Sequence, residues 1–117
     1  MHLLNGFSFN MLHPTVLEGA HHILMREIPL QEAQETAQRA GCCLVSAVDH
    51  ADMAGVFEAL LGVPVSMSRQ KLSLASGVWA LVGQYSGPRL RLPKGATVLP
   101  EGCAVKWILI KIDRRIE

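Results

Sequence analysis

Hydrophobic residues in this chain occur in short runs separated by polar or turn-forming residues. Short continuous or alternating apolar runs favour strands, whereas apolar positions that recur every three or four residues favour helices. The elements that this pattern predicts are, in chain order, a strand at 2–5, a helical turn at 8–12, a strand at 20–28, a helix at 29–41, a strand at 42–48, a helix at 49–62, a hairpin of 63–74 and 78–86, and a strand at 104–112. Strands and helices therefore alternate, as in a small α/β domain.

Proline and glycine mark the ends of the first long helix. Pro29 stands at a natural first helical position, and Gly41 is suited to end the helix. Most of this helix is polar, so we expect it on the outside of the fold. In the second long helix, Val56, Ala59 and Leu60, with Met53 as a further candidate, recur at helical spacing and predict its buried face.

Two of the predicted strands are apolar on both sides. The strand at 42–48, CCLVSAV, consists of small and β-branched residues, which is typical of a strand covered on both faces. The strand at 104–112 is apolar on both faces in its second half, which predicts a central strand or one covered by another subunit. Ser76-Gly77 separates the two halves of the predicted hairpin.

The composition narrows the class of protein. A chain of 117 residues can form one domain, 1–117, with its own core. With 50% hydrophobic residues, 18% charged residues and a formal net charge of +1, disorder and a broad basic surface for duplex nucleic acid are both excluded.

Cys42, Cys43 and Cys103 have the character of small core residues in a reduced protein. The chain has no apolar run of about 18 residues and no basic leader, so we expect a cytoplasmic protein that does not contact membranes.

Common metal and nucleotide motifs are absent. His21 and His22 are adjacent, so on a strand they point to opposite faces and cannot chelate one ion. The chain contains no HExxH, GxxxxGK[ST] or GxGxxG motif. We therefore expect neither a metal nor a cofactor.

Asp49 and His50 join the predicted strand at 42–48 to the helix that follows it. His50 is either a surface or capping residue, or a proton donor, because an imidazole with an ordinary pKa of ~6.5 can act as a general acid near neutral pH. Asp49 could cap the helix, or it could pair with the imidazole and favour its charged form. The sequence leaves both alternatives open.

Three arginines lie in loops or at strand ends, at positions 69, 89 and 91. Each is either a solvated cation or a phosphate ligand, since the guanidinium group binds phosphate through a planar fork. The polar residues that could share one strand-end edge with them are Asn5, Ser8, Asn10, His50 and Gln84. Together they predict a polar, partly cationic pocket suited to a phosphodiester that carries nucleobases.

Several stretches together resemble one known family. Residues 3–12, LLNGFSFNML, resemble the opening motif of the type III anti-CRISPR ring nucleases of archaeal viruses, phages and bacteria. The resemblance continues in the same order through VSAVDHAD, FEALLGVPVSMSRQKLSL, ALVGQYSGPRL and LPKGATVLPEG, and leaves out residues 13–41. It implies a mixed β-sheet flanked by α-helices, assembled as a homodimer.

The resemblance also implies a reaction. The dimer would bind cyclic tetra-adenylate across its two-fold axis and cut it, without a metal, into linear di-adenylates that end in 2′,3′-cyclic phosphate. This would switch off type III CRISPR signalling in the cytoplasm of a prokaryote or of a virus's prokaryotic host. His50 matches the general acid, and Arg89 would stabilise charge on the scissile phosphate. The residues implied to bind the substrate are Asn5, Ser8, Asn10, Arg69 and Gln84.

The chain departs from the family pattern at three places. Asp49 replaces a glycine, Met53 replaces a threonine, and RLRLPKG carries two additional residues, so Arg91 could take the role given to Arg89. If these departures abolish cleavage, the protein would be a non-catalytic sensor or sponge for cyclic oligoadenylates. A third alternative is a small dimeric interaction protein with a vestigial pocket.

Overall fold

The computed structural model describes residues 1–69, 71–87 and 102–116. Within these ranges the strands are β1 (His2–Leu4), β2 (Ala20–Ile28), β3 (Val45–Ala47), β4 (Trp79–Ser86) and β5 (Ala104–Ile116). The helices are α1 (Pro14–Glu18), α2 (Leu30–Ala40) and α3 (Ala51–Leu61), with short 3₁₀ turns at Phe9–Met11 and Gly41–Cys43. No helix in the described ranges is long and apolar enough to cross a membrane.

The five strands form one mixed sheet in the order β2-β5-β4-β1-β3. Strand β1 is parallel to both of its neighbours, β3 and β4, whereas β5 is antiparallel to β2 and β4. The predicted fold class, a mixed sheet flanked by helices, is confirmed. Because β1, β3 and β4 are parallel, their carboxyl ends meet at the same edge of the sheet.

Both faces of the sheet are covered. Helices α2 and α3 cover one face of the sheet, which we call the helix-covered face. Phe57 and Trp107 pack there with their ring centroids 4.9 Å apart. Gly83 of β4 lies opposite Trp107, and a Cβ atom at this glycine would collide with both rings. On the other face, α1 and the segment before β4 bury a second cluster that includes Leu4 and Leu74. Consecutive residues of β1, Leu3 and Leu4, therefore belong to different clusters, as strand alternation requires.

The predicted hairpin of 63–74 and 78–86 is wrong. Strand β4 forms as expected, but it pairs with β1 and β5. Among its described residues, the segment before it makes isolated parallel bridges alone, Val48 with Met67 and Leu12 with Leu74. Both edges of β4 are occupied, one by β1 and the other by β5, so the segment before β4 has no free edge of that strand with which to form a hairpin.

The prediction for 42–48 is also wrong in part. Only Val45–Ala47 forms a strand, and it is an edge strand with Val45 exposed. Cys42 and Cys43 lie exposed in the 3₁₀ turn and not in the core. The turn follows from Gly41, whose positive φ of 54° ends α2 and redirects the chain before the strand can begin.

The remaining elements agree more closely with their predictions. Helix α2 ends at Gly41, as expected, and β5 occupies an interior position in the sheet. In α3, Val56 is buried as expected, but Ala59 is exposed, and the large side chains of Phe57 and Leu61 are fully buried. The larger side chains determine which side of this helix faces the sheet, because they remove more apolar surface from water.

Candidate functional site

A cavity of about 480 Å³ lies at the carboxyl ends of β1 and β3. We call it the strand-end cavity. Its lining residues are Asn5, Ser8, Asn10, Met11, Ala47, Asp49, His50, Ser68, Arg69, Lys71 and Leu72. Ligands commonly bind beyond the carboxyl ends of parallel strands, where loops bring polar groups together. The location is therefore the one that the sequence pattern predicts.

The loop after β1 supplies the amide and hydroxyl groups of the cavity. Asn5 directly follows the strand, and Ser8 stands at the N-cap position of the Phe9–Met11 turn. The Ser8 side chain makes no capping hydrogen bond, although serine commonly does so at this position. The hydroxyl of Ser8 and the amide of Asn10 are thus available at the cavity wall for contacts with a ligand.

The link between β3 and α3 supplies the titratable groups. Asn5 Nδ2 donates a hydrogen bond of 2.7 Å to Asp49 Oδ1. The same carboxylate oxygen lies 3.6 Å from His50 Nε2, and the two side chains remain 56% and 67% exposed. His50 occupies the N-cap position of α3 but makes no side-chain capping bond. Asp49 therefore contacts the imidazole instead of capping the helix, and the imidazole is accessible to a ligand.

The segment that crosses from α3 to β4 supplies positive charge. Ser68 N donates a hydrogen bond of 2.7 Å to Val48 O, which ties the segment to the end of β3. Arg69 and Lys71 both line the cavity. Within the described part of the chain, neither side chain forms an ion pair with a carboxylate. Two cations against the single carboxylate of Asp49 make the cavity suited to an anionic ligand.

The structure brings together five of the seven predicted site residues. They come from three separate segments of the chain, and they are Asn5, Ser8, Asn10, His50 and Arg69. Gln84 does not line the cavity. It lies on β4, two residues beyond the last pair formed with β1, and its Nε2 is 3.4 Å from Tyr85 O. Arg89 lies outside the described residues, as does Arg91.

Lys71 and Ser68 are cavity residues that sequence reasoning missed. The sequence holds a signal for Lys71, since residues two apart in an extended segment point to the same side, and Arg69 is already a candidate. Ser68 has no comparable signal. Its position depends on the backbone hydrogen bond to Val48, a contact between segments that are distant in sequence.

The chemical groups at the cavity are one imidazole, one carboxylate, two cations, amides and hydroxyls. This set can bind an anion and supply a proton to it. In the described ranges, no group of three or more His, Cys, Asp or Glu side chains is arranged to hold a metal ion. Imidazole is the group of this set that commonly exchanges a proton near neutral pH, whereas lysine and arginine stay protonated there, so His50 is the candidate proton donor.

The fold and the cavity define a small α/β protein with a mixed sheet and a partly cationic site at the strand ends. Residues 1–103 match the model of the STIV B116-like family, and the chain belongs to that family. Its structure is similar to that of B116 of Sulfolobus turreted icosahedral virus, with a TM-score of 0.73 and 16% sequence identity, over 94% of this chain and 97% of that chain. At this identity the likeness shows the fold alone. A search of curated proteins gave no match.

Proposed function

We propose that this protein is a metal-independent ring nuclease that binds cyclic tetra-adenylate across a homodimer and cuts it into linear di-adenylates. One observation carries the proposal: five residues that the sequence predicts as substrate or catalytic residues line a single cavity. They are Asn5, Ser8, Asn10, His50 and Arg69. The resemblance of residues 3–12 to the type III anti-CRISPR ring nucleases supplies the identity of the substrate.

The reaction is a transesterification of the kind that cuts RNA. The ribose 2′ hydroxyl loses its proton to solvent water as its oxygen attacks the neighbouring phosphorus, the bond from phosphorus to the 5′ oxygen breaks, and a 2′,3′-cyclic phosphate remains. The departing 5′ oxygen must receive a proton, and His50 supplies it as general acid. The accessible imidazole at the cavity wall supports this role.

Positioning of the ring contributes the rest of the acceleration, because attack requires the 2′ oxygen to lie in line with the bond that breaks. Arg69 and Lys71 bind phosphate groups, and the polar residues of the loop after β1 orient ribose or phosphate. The resemblance also implies a ligand contact for Gln84 near the cut, although this residue does not line the strand-end cavity. Arg89 stabilises charge on the scissile phosphate, and comparison of Arg89→Ala with Arg91→Ala decides which of the two arginines has this role.

The homodimer follows from the size and symmetry of the substrate. A cavity of about 480 Å³ lies in the range that encloses a drug-sized ligand, ~300–1,000 Å³, and a ring of four nucleotides is larger than such a ligand. A ring with two-fold symmetry is matched by two copies of one chain related by a two-fold axis. Cleavage of the ring would remove the signal that activates type III CRISPR nucleases.

A second candidate function is a non-catalytic binder of cyclic oligoadenylates. The Asp49 carboxylate favours it, because a negative charge in the cavity opposes close approach of the scissile phosphate. Met53 also favours it, since its side chain packs against the core of the helix-covered face and offers no hydroxyl to the ligand. Such a protein would still reduce signalling by sequestering the ring.

The test is incubation of the purified protein with radiolabelled cyclic tri-, tetra- and hexa-adenylate in the presence of EDTA, with products resolved against linear standards. Binding is followed in parallel on native gels, and the mass of the protein in solution is measured by light scattering. Di-adenylate with a cyclic phosphate end from the tetramer, made by a dimer, supports the proposal. A band shift without products favours the non-catalytic binder. Absence of both overturns the two functions and leaves the interaction protein.

A further inference from the structure

We propose that Asp49 is a positioning residue that holds His50 by its Nε2 and thereby makes Nδ1 the nitrogen that transfers the proton. This inference rests on the proposed cleavage reaction. It is carried by the three-residue arrangement of Asn5, Asp49 and His50, in which one carboxylate oxygen contacts both neighbours. A histidine can act as a general acid without a carboxylate beside it, so the proposed role of Asp49 adds to the role of His50.

The first step of the argument is the anchoring of the carboxylate. Asn5 Nδ2 donates to Asp49 Oδ1 over 2.7 Å, and the two residues are 44 positions apart in the chain. The bond joins the end of β1 to the end of β3, which are neighbouring parallel strands. Because both strand ends are fixed by the sheet, this hydrogen bond gives the Asp49 side chain a defined direction.

The second step concerns the imidazole ring. His50 Nε2 faces the anchored oxygen at 3.6 Å, so the charged ring is attracted to Asp49 through that nitrogen. Nδ1 is left for the ligand. When the Nδ1–H bond breaks, the proton forms an O–H bond with the departing 5′ oxygen, and the ring becomes neutral while it keeps its proton on Nε2 beside Asp49. The cations that face the same carboxylate across the cavity are Arg69 and Lys71.

The variant that isolates the charge is Asp49→Asn, because an asparagine keeps a similar size and an acceptor oxygen for Asn5. We expect single-turnover cleavage of cyclic tetra-adenylate to slow about fivefold, as for loss of an exposed ion pair. Binding of the ring should not weaken, since a negative charge has left the cavity. The matched control is Asp52→Asn on α3, a residue that does not line the cavity, and it should cleave at the wild-type rate.

A modified substrate shows whether Asp49→Asn slows cleavage by changing the position of the general acid or by a general effect on the structure. In cyclic tetra-adenylate with sulfur in place of the bridging 5′ oxygens, the leaving thiolate needs no proton, because thiols ionise far more readily than alcohols. If Asp49 acts through His50, the slowing caused by Asp49→Asn disappears with this substrate, and so does most of the loss caused by His50→Ala. Equal slowing on both substrates, or no slowing on either, overturns the inference.

The experiments distinguish failure of the proposed cleavage reaction from failure of the proposed role of Asp49. If the wild-type protein makes no product from either substrate, the proposed function is wrong, and NMR of the free protein then tests the arrangement around Asp49. The side-chain amide signals of Asn5 and the ring signals of His50 should both shift in Asp49→Ala and stay in place in Asp52→Asn. If both sets stay in place in Asp49→Ala, the arrangement is wrong, whatever the assays with substrate give.

Discussion

The helix-covered face of the sheet and the strand-end cavity differ in how their residues are held. On the face, Phe57 is fully buried and Trp107 nearly so, at 0% and 3% exposure, and they are held by close packing. At the cavity, the side chains of Asp49 and His50 are mostly exposed. The one close hydrogen bond in this group of three joins Asn5 to Asp49. Truncation of a buried aromatic side chain costs ~3–5 kcal/mol, whereas an exposed ion pair contributes at most about 1 kcal/mol.

The difference separates stability from function in this molecule. No polar or charged residue in the described part of the chain is fully buried, so the core depends on apolar contact. The packed sheet fixes the strand ends, and the polar residues placed on them are free to contact a ligand. Substitutions in the cavity should therefore change activity with little effect on stability, and substitutions on the helix-covered face should do the reverse.

The largest effect expected is loss of cleavage in His50→Ala. Removal of a general acid slows a reaction by ~10²–10⁴-fold, so product formation from cyclic tetra-adenylate should fall by at least that lower factor. Binding on a native gel should persist, and the free energy of unfolding should change by less than about 0.5 kcal/mol because the side chain is exposed. The matched control is His22→Ala on β2, also exposed, which should cleave normally. Unchanged product formation in His50→Ala would rule out the imidazole as the acid.

The complementary effect is loss of stability in Gly83→Ala. A Cβ atom at this position would collide with Phe57 and lie 2.8 Å from Cζ3 of Trp107, inside the packed core. Overpacking of a core costs ~1–3 kcal/mol, and denaturant unfolding should show a loss of that size. Gly6→Ala is the control, since no atom lies within 4 Å of its added Cβ. If Gly83→Ala is as stable as the wild type, the helix-covered face is less tightly packed than its contacts indicate.

The two regions also differ in how far the sequence predicts them. Strand β2 is predicted with its observed bounds, Ala20–Ile28, because its apolar run is bounded by Gly19 and Pro29. The strand-end residues are predicted because strand ends and helix starts can be recognised locally. The convergence of Asn5 and His50 requires that β1 and β3 are neighbours in the sheet and run in the same direction.

The errors concern pairing between distant segments. Residues 63–74 alternate as a strand does, yet whether such a segment pairs depends on where β4 enters the sheet. Nothing local indicates that β4 inserts beside β1. The prediction that residues 42–48 form a strand covered on both faces is wrong for the same reason. The order of the strands places β3 at the edge of the sheet, and the composition of the segment does not reveal that order.

A smaller effect than loss of the acid is expected for Arg69→Ala. A hydrogen bond to a charged group contributes ~1.5–3 kcal/mol, so the dissociation constant for cyclic tetra-adenylate should rise about tenfold or more, and cleavage at limiting substrate should fall in parallel. Binding should also depend less steeply on salt concentration. Arg39→Ala, the same change on α2 away from the cavity, is the matched control. Equal affinity in Arg69→Ala and Arg39→Ala would remove Arg69 from the binding site.

The smallest effect expected is a pH dependence of stability at His2, on β1. Burial, and secondarily the charge of the chain's amino terminus, lower the pKa of this imidazole below its ordinary value of 6.5. Its Nδ1 is inaccessible and has no hydrogen-bond partner in the structure, so the neutral ring is favoured in the folded protein. As the pH falls below 6.5, the unfolded chain takes up the proton first, and the stability that is fully present above that pH is progressively lost. His2→Leu removes this titration, so the wild type should lose stability relative to the variant between pH 7.5 and pH 5, measured by urea unfolding at several pH values. Parallel stability curves for the two proteins would show that His2 is equally free to protonate in the folded and unfolded states.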